Sequence, residues 1–315
     1  MPLDTTDFIP QALATTLTRR SLWGALPRRV HAAPDGPPML ALSFDNDYQQ
    51  DTDATPALLD LVGEFDARMT VFSIGRLIEA DPEPYRDAAR RGHEIGNHTW
   101  SHPDNPVLNP DHEFWHLTTD EMREEIGRCQ DAVEAVSGTR PSSFRTPHFK
   151  DAVRMMEALA DFPEITCVST ALASKCPVPT PYLPATDAIA DELSLHFPTR
   201  ATDTPASTPL MVPLTPCPGM RWSPFCSYSA IRRPSNPAKG AGMLDVAEWE
   251  RRWVVMLERA RRRRFASVYF DAIDVMRDEE TRGAFRRMLA HAVDGGWEIT
   301  TVAEVARRWR PLLDA

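Results

Sequence analysis

The chain has 315 residues and carries 35 Lys and Arg against 45 Asp and Glu, which gives a net charge of −10. This length is sufficient for one large α/β domain or for two ordinary domains, each with a full core. The negative charge argues against nucleic acid or an anionic membrane surface as the main partner, and no apolar run is long enough to span a membrane. These properties fit a soluble enzyme.

The cysteines and the N-terminal residues bear on the cellular compartment. The five cysteines are odd in number and form no CxxC pair, so neither a zinc knuckle nor a dense disulfide framework is indicated. Residues 18–23 faintly resemble a twin-arginine export signal, but the apolar run after them stops at Pro27-Arg28-Arg29. We therefore predict a reducing, cytoplasmic location.

The first half of the chain alternates between strand and helix patterns after a predicted N-terminal arm at residues 1–38. The arm ends in Ala-Ala-Pro-Asp-Gly-Pro-Pro, which cannot continue a helix. A nearly continuous apolar run at Met39–Phe44 predicts a strand that is buried on both faces, as in a parallel sheet. The next predicted elements are a helix at Thr55–Phe65 with a Thr-Pro start, a strand at Met69–Ile74, a helix at 82–91 and a strand at His93–Gly96.

The second half continues this alternation. Thr118 to Glu121 reads as a capping box, and the helix that follows runs to about Val136 before Gly138 stops it. The later predicted elements are a strand ending at Arg145-Thr146-Pro147-His148-Phe149, a helix at Trp249–Arg261 and a strand at Phe265–Phe270, followed by helices at 279–293 and 302–309 that flank Trp297-Glu298-Ile299.

A Pro-rich segment at about 177–240 interrupts the pattern. It holds 13 of the 29 prolines, yet it contains the candidate apolar anchors Trp222, Phe225 and Tyr228. A low-complexity linker lacks such anchors, so we predict an ordered, irregular insertion. We assign residues 39–315 to a single domain that includes this insertion.

Polar residues with metal-binding and acid-base chemistry lie at the ends of the predicted strands. His98 and His102 stand four residues apart, so one helical turn would place both imidazoles near one metal ion. Asp45 and Asp47 follow the first strand, and residues two apart on a strand face the same way. One of these carboxylates can be the third metal ligand, while the other can act as general base for a metal-activated water.

A second arrangement competes with this one. His112-Glu113-Phe114-Trp115-His116 matches the HExxH pattern of zinc proteases. That pattern requires a helix that holds both histidines, but Pro110 precedes it and a new helix start follows at Thr118. We therefore interpret these residues as a surface loop with a half-buried aromatic pair.

Three ordered motifs together resemble the polysaccharide deacetylase family, which is also called the NodB homology or carbohydrate esterase family 4. The motifs are Ser43-Phe44-Asp45-Asn46-Asp47, His98-Thr99-Trp100-Ser101-His102 and Arg145-Thr146-Pro147. The resemblance is strong over about residues 39–150 and loose over 265–306. It implies an α/β fold, namely a distorted (β/α) barrel, and a divalent metal ion, usually zinc, as cofactor.

The resemblance also implies roles for individual residues. Asp45 would be the general base, Arg145 would orient Asp45 by a charge-assisted hydrogen bond, and the backbone N–H of His148 would help to stabilise the oxyanion. His98 and His102 would bind the metal. The commonest first motif is Asp-Asp with its second Asp on the metal; Asn46 occupies that position here, and the Asp-x-Asp variant assigns the metal to Asp47 instead.

The last family motif usually supplies a His as general acid, and this chain has Asp271 in that region. Asp271 could serve as acid if burial or a neighbouring carboxylate raised its pKa. His148 or Asp274 are alternatives for this role, and Asp271 could instead cap the following helix.

We therefore predict a metal-dependent hydrolase that removes an acetyl or formyl group from the nitrogen of a sugar, either small or carrier-linked. The alternatives are a hydrolase of non-sugar amides on the same scaffold and a catalytically silent carbohydrate-binding relative. The sequence does not define the oligomeric state.

Overall fold

The computed structural model describes residues 33–149, 154–170, 178–181, 209–220, 223–231 and 244–312. Most of the predicted N-terminal arm, Trp222 and most of the Pro-rich insertion lie outside the described residues. The strands of the described part are β1 (Met39–Asn46), β2 (Thr70–Ser73), β3 (Glu94–Asn97), β4 (Ser143–Phe144), β5 (Cys167–Val168), β6 (Thr180–Pro181), β7 (Leu210–Met211), β8 (Phe265–Asp271) and β9 (Glu298–Thr300).

Helices surround these strands, as the alternating sequence pattern predicts. They are α1 (Gln49–Gly63), α2 (Gly75–Ala80), α3 (Glu83–Arg90), α4 (Thr119–Ser137), α5 (Arg154–Leu159), α6 (Val246–Ala260), α7 (Ala272–Met276), α8 (Glu279–Asp294) and α9 (Val302–Trp309). Short 3₁₀ turns lie at Phe114–His116, Pro147–Phe149, Arg261–Arg263 and Arg310–Leu312. Among the described helices, none combines the length and the apolar composition that crossing a membrane requires.

The sheet is parallel except at one end. Its order is β6-β7-β5-β4-β3-β2-β1-β8, and only the β6–β7 pair of this path is antiparallel. On one side of β1, the C-terminal half pairs with β2 while residues 39–41 pair with β9. The other side of β1 pairs along nearly its whole length with β8. The predicted distorted (β/α) barrel is thereby confirmed.

Backbone bonds from an irregular segment cover the outer edge of β8. The N–H of Thr215 donates to the carbonyl of Ser267 at 2.8 Å, and the N–H of Tyr269 donates to the carbonyl of Phe225 at 3.4 Å. Both partners of β8 belong to the predicted Pro-rich insertion, so part of that insertion covers this edge of the sheet. Phe225 is fully buried as predicted, whereas Tyr228 is 57% exposed and is not an apolar anchor.

Alternate side chains of β1 point into two different apolar clusters. Leu40, Leu42 and Phe44 belong to the main core, which also includes side chains of α1, α6 and α8. Ala41 belongs to a second apolar cluster together with Phe72, Leu210 and the inner side of α9. Phe72 is the register partner of Asp45, and the centroid of its ring lies 4.1 Å from Cζ of Arg145. This apolar cluster therefore borders the polar residues at the carboxyl ends of the strands.

Local signals predict some helix ends and miss others. Thr118 and Glu121 form the predicted capping box of α4, and Gly138 ends this helix with a φ of 77°. The predicted start of α1 at Thr55 is wrong, because the helix begins at Gln49 and contains Pro56. Proline removes one backbone donor from a helix, but the hydroxyl of Thr55 and the buried carboxylate of Asp51 make hydrogen bonds around this first part of the helix.

Candidate metal and catalytic site

The predicted site residues come from strands whose carboxyl ends meet at one edge of the sheet. Asp45 lies in β1 and is the register partner of Asp271 in β8. His98 directly follows β3, and Arg145 directly follows β4. Each of these four residues is at most 4% exposed. Parallel strands place functional groups at this edge in α/β folds, and here they bring together residues that lie up to 226 positions apart.

Asp47, His98 and His102 form a cluster whose ligand atoms converge. Oδ1 of Asp47 lies 3.3 Å from Nε2 of His98 and 3.8 Å from Nε2 of His102. Ligand atoms about 2.1 Å from a tetrahedral zinc ion are roughly 3.4 Å apart. One carboxylate oxygen and two imidazole nitrogens at these separations therefore fit a divalent metal ion. No other group of three or more His, Cys, Asp or Glu with this geometry occurs among the described residues.

The orientation of the His98 ring agrees with metal binding through Nε2. Nδ1 of His98 lies 2.9 Å from the carbonyl oxygen of Arg145, and such a contact fixes the tautomer of a metal-binding imidazole. The backbone N–H of His102 donates to Oγ1 of Thr99 at 3.0 Å, while its φ of 50° turns the chain sharply. The spacing of the histidines is local, but a tight loop rather than a helical turn brings them together.

The charges around the two imidazoles differ. Burial lowers the pKa of His98, but the carboxylates of Asp47 and Asp45 outweigh this effect and raise the pKa above its usual value. Burial lowers the pKa of His102 to about 3, so this ring is neutral. The two carboxylates that favour a proton on His98 would equally favour a bound cation, and a neutral imidazole is the form that binds a metal.

Asn46 takes no part in this cluster. Its Nδ2 donates to Oγ1 of Thr55 at 3.0 Å and to the hydroxyl of Tyr85 at 3.4 Å, on the helix side of β1. The side chain is fully buried there. The position that carries the second Asp of the commonest motif thus faces away from both histidines, in agreement with the alternation of side chains along β1.

Arg145 holds the candidate base Asp45. Its guanidinium is fully buried and donates to Asp45 through Nη1, to Ser43 Oγ at 2.8 Å and Ser169 Oγ at 2.9 Å through Nη2, and to the Ser169 carbonyl at 3.1 Å through Nε. Burial raises the pKa of the Asp45 carboxyl, and the nearby guanidinium opposes this rise. The structure thus places Arg145 where it can fix the orientation of Asp45.

The predicted acid-base alternatives, Asp271, His148 and Asp274, lie at different positions around the candidate site. Asp271 accepts a hydrogen bond from the hydroxyl of Ser227 at 3.2 Å and makes no side-chain cap to α7, so the predicted capping role is wrong. The ring of His148 lies 5.0 Å from that of His102, measured between centroids, and its Nε2 lies 3.3 Å from Asp104. Asp274 is buried in the first turn of α7.

The HExxH residues do not assemble a metal site. Only Phe114–His116 forms a short 3₁₀ turn, and the side chain of His116 is 61% exposed. His112 is also exposed and lies against Asn109. A zinc-protease arrangement therefore does not form in the described part of the chain.

Sequence reasoning did not identify the serines that support Arg145. Ser43 belongs to β1 and has the same side-chain parity as Asp45, so strand alternation could have indicated it. Ser169 lies just beyond β5, where no motif marks it. Both hydroxyl oxygens accept a hydrogen bond from Nη2 of the Arg145 guanidinium.

These features define the class of protein: a (β/α) barrel with a candidate metal site of one Asp and two His at the carboxyl ends of its strands. The sequence model of the polysaccharide deacetylase family matches residues 32–163. This match confirms, over these residues, the resemblance to that family which the three motifs indicate.

Two curated relatives each match about a third of the chain. A peptidoglycan-N-acetylmuramic acid deacetylase of Bacillus subtilis is 32% identical over 110 residues, which cover 35% of this chain and 21% of the relative. A peptidoglycan-N-acetylglucosamine deacetylase of Bacillus cereus is 31% identical over 109 residues, which cover 35% of this chain and 36% of the relative. The matched segment therefore spans well under half of either relative.

Solved structures share the fold over most of the chain. A putative polysaccharide deacetylase from Mycobacterium smegmatis has a TM-score of 0.69 at 19% identity, covering 89% of this chain and 94% of its own. An allantoinase has a TM-score of 0.65 at 12% identity, with coverages of 92% and 96%. A family pseudoenzyme from Bacillus anthracis has a TM-score of 0.53 at 13% identity, with coverages of 87% and 66%. At these identities the likeness concerns the fold alone.

Proposed function

We propose that this protein is a metal-dependent hydrolase that removes an acetyl or formyl group from the nitrogen of an amino sugar. The observation that carries the proposal is the convergence of Asp47, His98 and His102 beside the buried Asp45–Arg145 pair. The match to the deacetylase family over residues 32–163 supports the reaction class. Two curated relatives named as peptidoglycan deacetylases support an N-acylated sugar as substrate.

The residues of the cluster would hold the metal, and we propose zinc. Asp47 would contribute Oδ1, and each histidine would contribute Nε2. A divalent ion held there would act as a Lewis acid and lower the pKa of a water molecule towards ~7. The remaining chemistry, which consists of proton transfer and orientation, is the task of the chain itself.

Asp45 would take the proton from the attacking water, since it is the carboxylate beside the cluster that Arg145 orients. The backbone N–H of His148 would donate to the carbonyl oxygen of the amide as negative charge develops there. The C–N bond then breaks, and the leaving amine needs a proton. We assign this donation to Asp271, the register partner of Asp45 on the neighbouring strand.

The proposal is tested with purified protein, first by its metal content and then by acetate and formate release. Wild type should bind one divalent ion per chain and release acetate or formate from N-acylated amino sugars and their oligomers. His98→Ala and His102→Ala should lose both properties. His112→Ala is the matched control, because this exposed histidine lies outside the cluster, and it should keep both.

The alternative functions give different results in the same assays. Release from simple amides but not from N-acylated sugars would contradict the sugar substrate and favour the non-sugar amidase. Sugar binding without any release, by metal-loaded protein, would contradict the hydrolase and favour the silent relative. Asp271→Asn with an unchanged rate of release would refute the assignment of the acid.

A further inference from the structure

The position of Asp47 depends on a loop that lies beyond the end of β1. Its side chain is 20% exposed, whereas those of His98 and His102 are 2% and 4% exposed. Asp47 is thus the least enclosed member of the candidate cluster, so few contacts of its own side chain fix its position. Two buried side chains, Asp51 and Asn105, make hydrogen bonds to the main chain of Asp47 itself.

Asp51 accepts hydrogen bonds from the backbone N–H groups of this loop. The residue is fully buried, and its Oδ2 accepts the N–H of Asp47 at 3.3 Å and the N–H of Tyr48 at 3.2 Å. Its Oδ1 accepts the N–H of Ile273 at 3.0 Å. Ile273 lies in α7, two residues after Asp271. The carboxylate of Asp51 therefore joins the loop of a candidate metal ligand to α7, the helix that directly follows the proposed acid Asp271.

Asn105 donates a hydrogen bond to a backbone carbonyl of the same loop. It is 1% exposed, and its Nδ2 donates to the carbonyl oxygen of Asp47 at 2.8 Å. Its own N–H donates to the carbonyl of His102 at 2.7 Å. Its Oδ1 accepts the N–H groups of Val107 and Leu108 at 2.9 and 3.0 Å, which forms a turn. Asn105 thus joins the segments of two ligands through separate groups.

Helix capping accounts for only part of these contacts. A carboxylate in the first turn of a helix commonly accepts the N–H of the N-cap residue, which is Tyr48 here. The bond to Ile273, 222 positions away, satisfies an N–H group in the first turn of α7. Capping of either helix does not require the bond from the N–H of Asp47 to Asp51. Nor does it require the side-chain bond from Asn105, 58 positions away, to Asp47.

We propose that Asp51 and Asn105 are positioning residues that set the metal affinity of the cluster by fixing the main chain of Asp47 on both sides. The inference rests on the metal site of the proposed function. A ligand whose loop is held before binding loses less conformational freedom when the metal binds, and supporting side chains around metal ligands typically contribute about 10- to 100-fold in affinity.

Two isosteric substitutions each remove one hydrogen-bonding capacity. Asp51→Asn replaces one acceptor oxygen by an NH₂ group, so the three N–H groups can no longer all be accepted. Asn105→Asp keeps the oxygen that accepts Val107 and Leu108, but it replaces the donor to Asp47 by a second oxygen. Each variant should bind Zn²⁺ about 10- to 100-fold more weakly than wild type in a competition titration with a chromogenic chelator.

Two controls separate positioning from general destabilisation. Asp53→Asn changes an exposed carboxylate on the same helix, which accepts a bond from Gln49 only at the surface, and it should leave the affinity unchanged. Gly138→Ala strains a positive φ of 77° at the end of α4, so it should lower the melting temperature of the metal-free protein without changing the affinity for Zn²⁺.

The outcomes are distinguishable. If Asp51→Asn and Asn105→Asp both bind Zn²⁺ within twofold of wild type, or if Gly138→Ala weakens binding as much as they do, the positioning role is overturned. If Asp51→Asn does not fold, Asn105→Asp decides alone, because it retains the bonds of its own turn. If His98→Ala also binds Zn²⁺ like wild type, the metal site of the proposed function has failed rather than the positioning role.

Discussion

The buried pair of Asp45 and Arg145 gives a quantitative test of the site. Arg145 is fully buried and donates four hydrogen bonds, to Asp45, to Ser43 and twice to Ser169. In Arg145→Met, the methionine side chain takes the place of the apolar part of the arginine, but the guanidinium is lost. The carboxylate of Asp45 then stays buried without its cation. Loss of one partner of a buried ion pair costs about 3–5 kcal/mol, which is a large share of the roughly 5–15 kcal/mol that stabilises a typical protein.

The double variant Asp45→Asn/Arg145→Met separates the charge from the packing. It removes both charges, so the unpaired carboxylate that destabilises Arg145→Met is absent. We expect the double variant to be more stable than Arg145→Met, and the two single losses to exceed the double loss by about 2 kcal/mol. Contacting residues commonly show couplings of roughly 0.5–3 kcal/mol, whereas independent sites are additive to about 0.5 kcal/mol.

The assay is urea unfolding of the metal-free protein, followed by the fluorescence of its 8 tryptophans. A chelator in every sample prevents bound metal from adding to the stability of some variants and not others. The unfolding free energy is taken from the midpoint and slope of each transition. Additive losses, or a double variant less stable than Arg145→Met, would refute the coupling of Asp45 and Arg145.

Three further predictions concern pH, packing and metal. His93 is buried with Nδ1 accepting the N–H of Met69 at 3.2 Å, and burial lowers its pKa from 6.5 to about 4. The unfolded chain therefore binds more protons at this residue between these values, and the contribution of His93 to the unfolding free energy should fall by about 1.6 kcal/mol from pH 6.5 to pH 5; a fall in His93→Asn urea titrations as large as in wild type would contradict this. A Cβ at Gly96 would meet the ring of Phe72 at 2.5 Å, so Gly96→Ala should lower the thermal midpoint by several degrees, and an unchanged midpoint would show that the ring moves freely. Zn²⁺ should raise the melting temperature of wild type and chelation should reverse this, with no such response in His98→Ala; an equal rise in both proteins would place the stabilising ion elsewhere.

Short-range patterns were sufficient for the elements that carry the site. The apolar run of β1, the capping box of α4 and its terminal Gly138 act within a few residues, so the sequence predicts them closely. Strand alternation also separates Asp45 from Asn46 correctly. The placement of His98 at the end of a strand follows from the same pattern, because parallel strands collect their carboxyl ends at one edge.

Contacts between distant segments could not be predicted in this way. The helix α1 starts at Gln49, and its buried Asp51 accepts a hydrogen bond from Ile273 of α7, which lies 222 positions away. Asn105 lies in a loop without a recognisable pattern, and only folding brings it to Asp47. The backbone groups at the outer edge of β8 bond to an irregular segment around Thr215, which has no strand periodicity in its sequence.

The sequence by itself therefore indicated the alternation of strands and helices, the three polar motifs and the candidate ligands, and the resemblance of those motifs implied the barrel. The tertiary structure alone decided which groups hold those ligands in place and what faces them across the barrel. The physical reason is range: backbone propensity and side-chain periodicity act over a few residues, whereas the bonds of Asp51, Asn105 and Arg145 form only after the strands that carry their partners have come together.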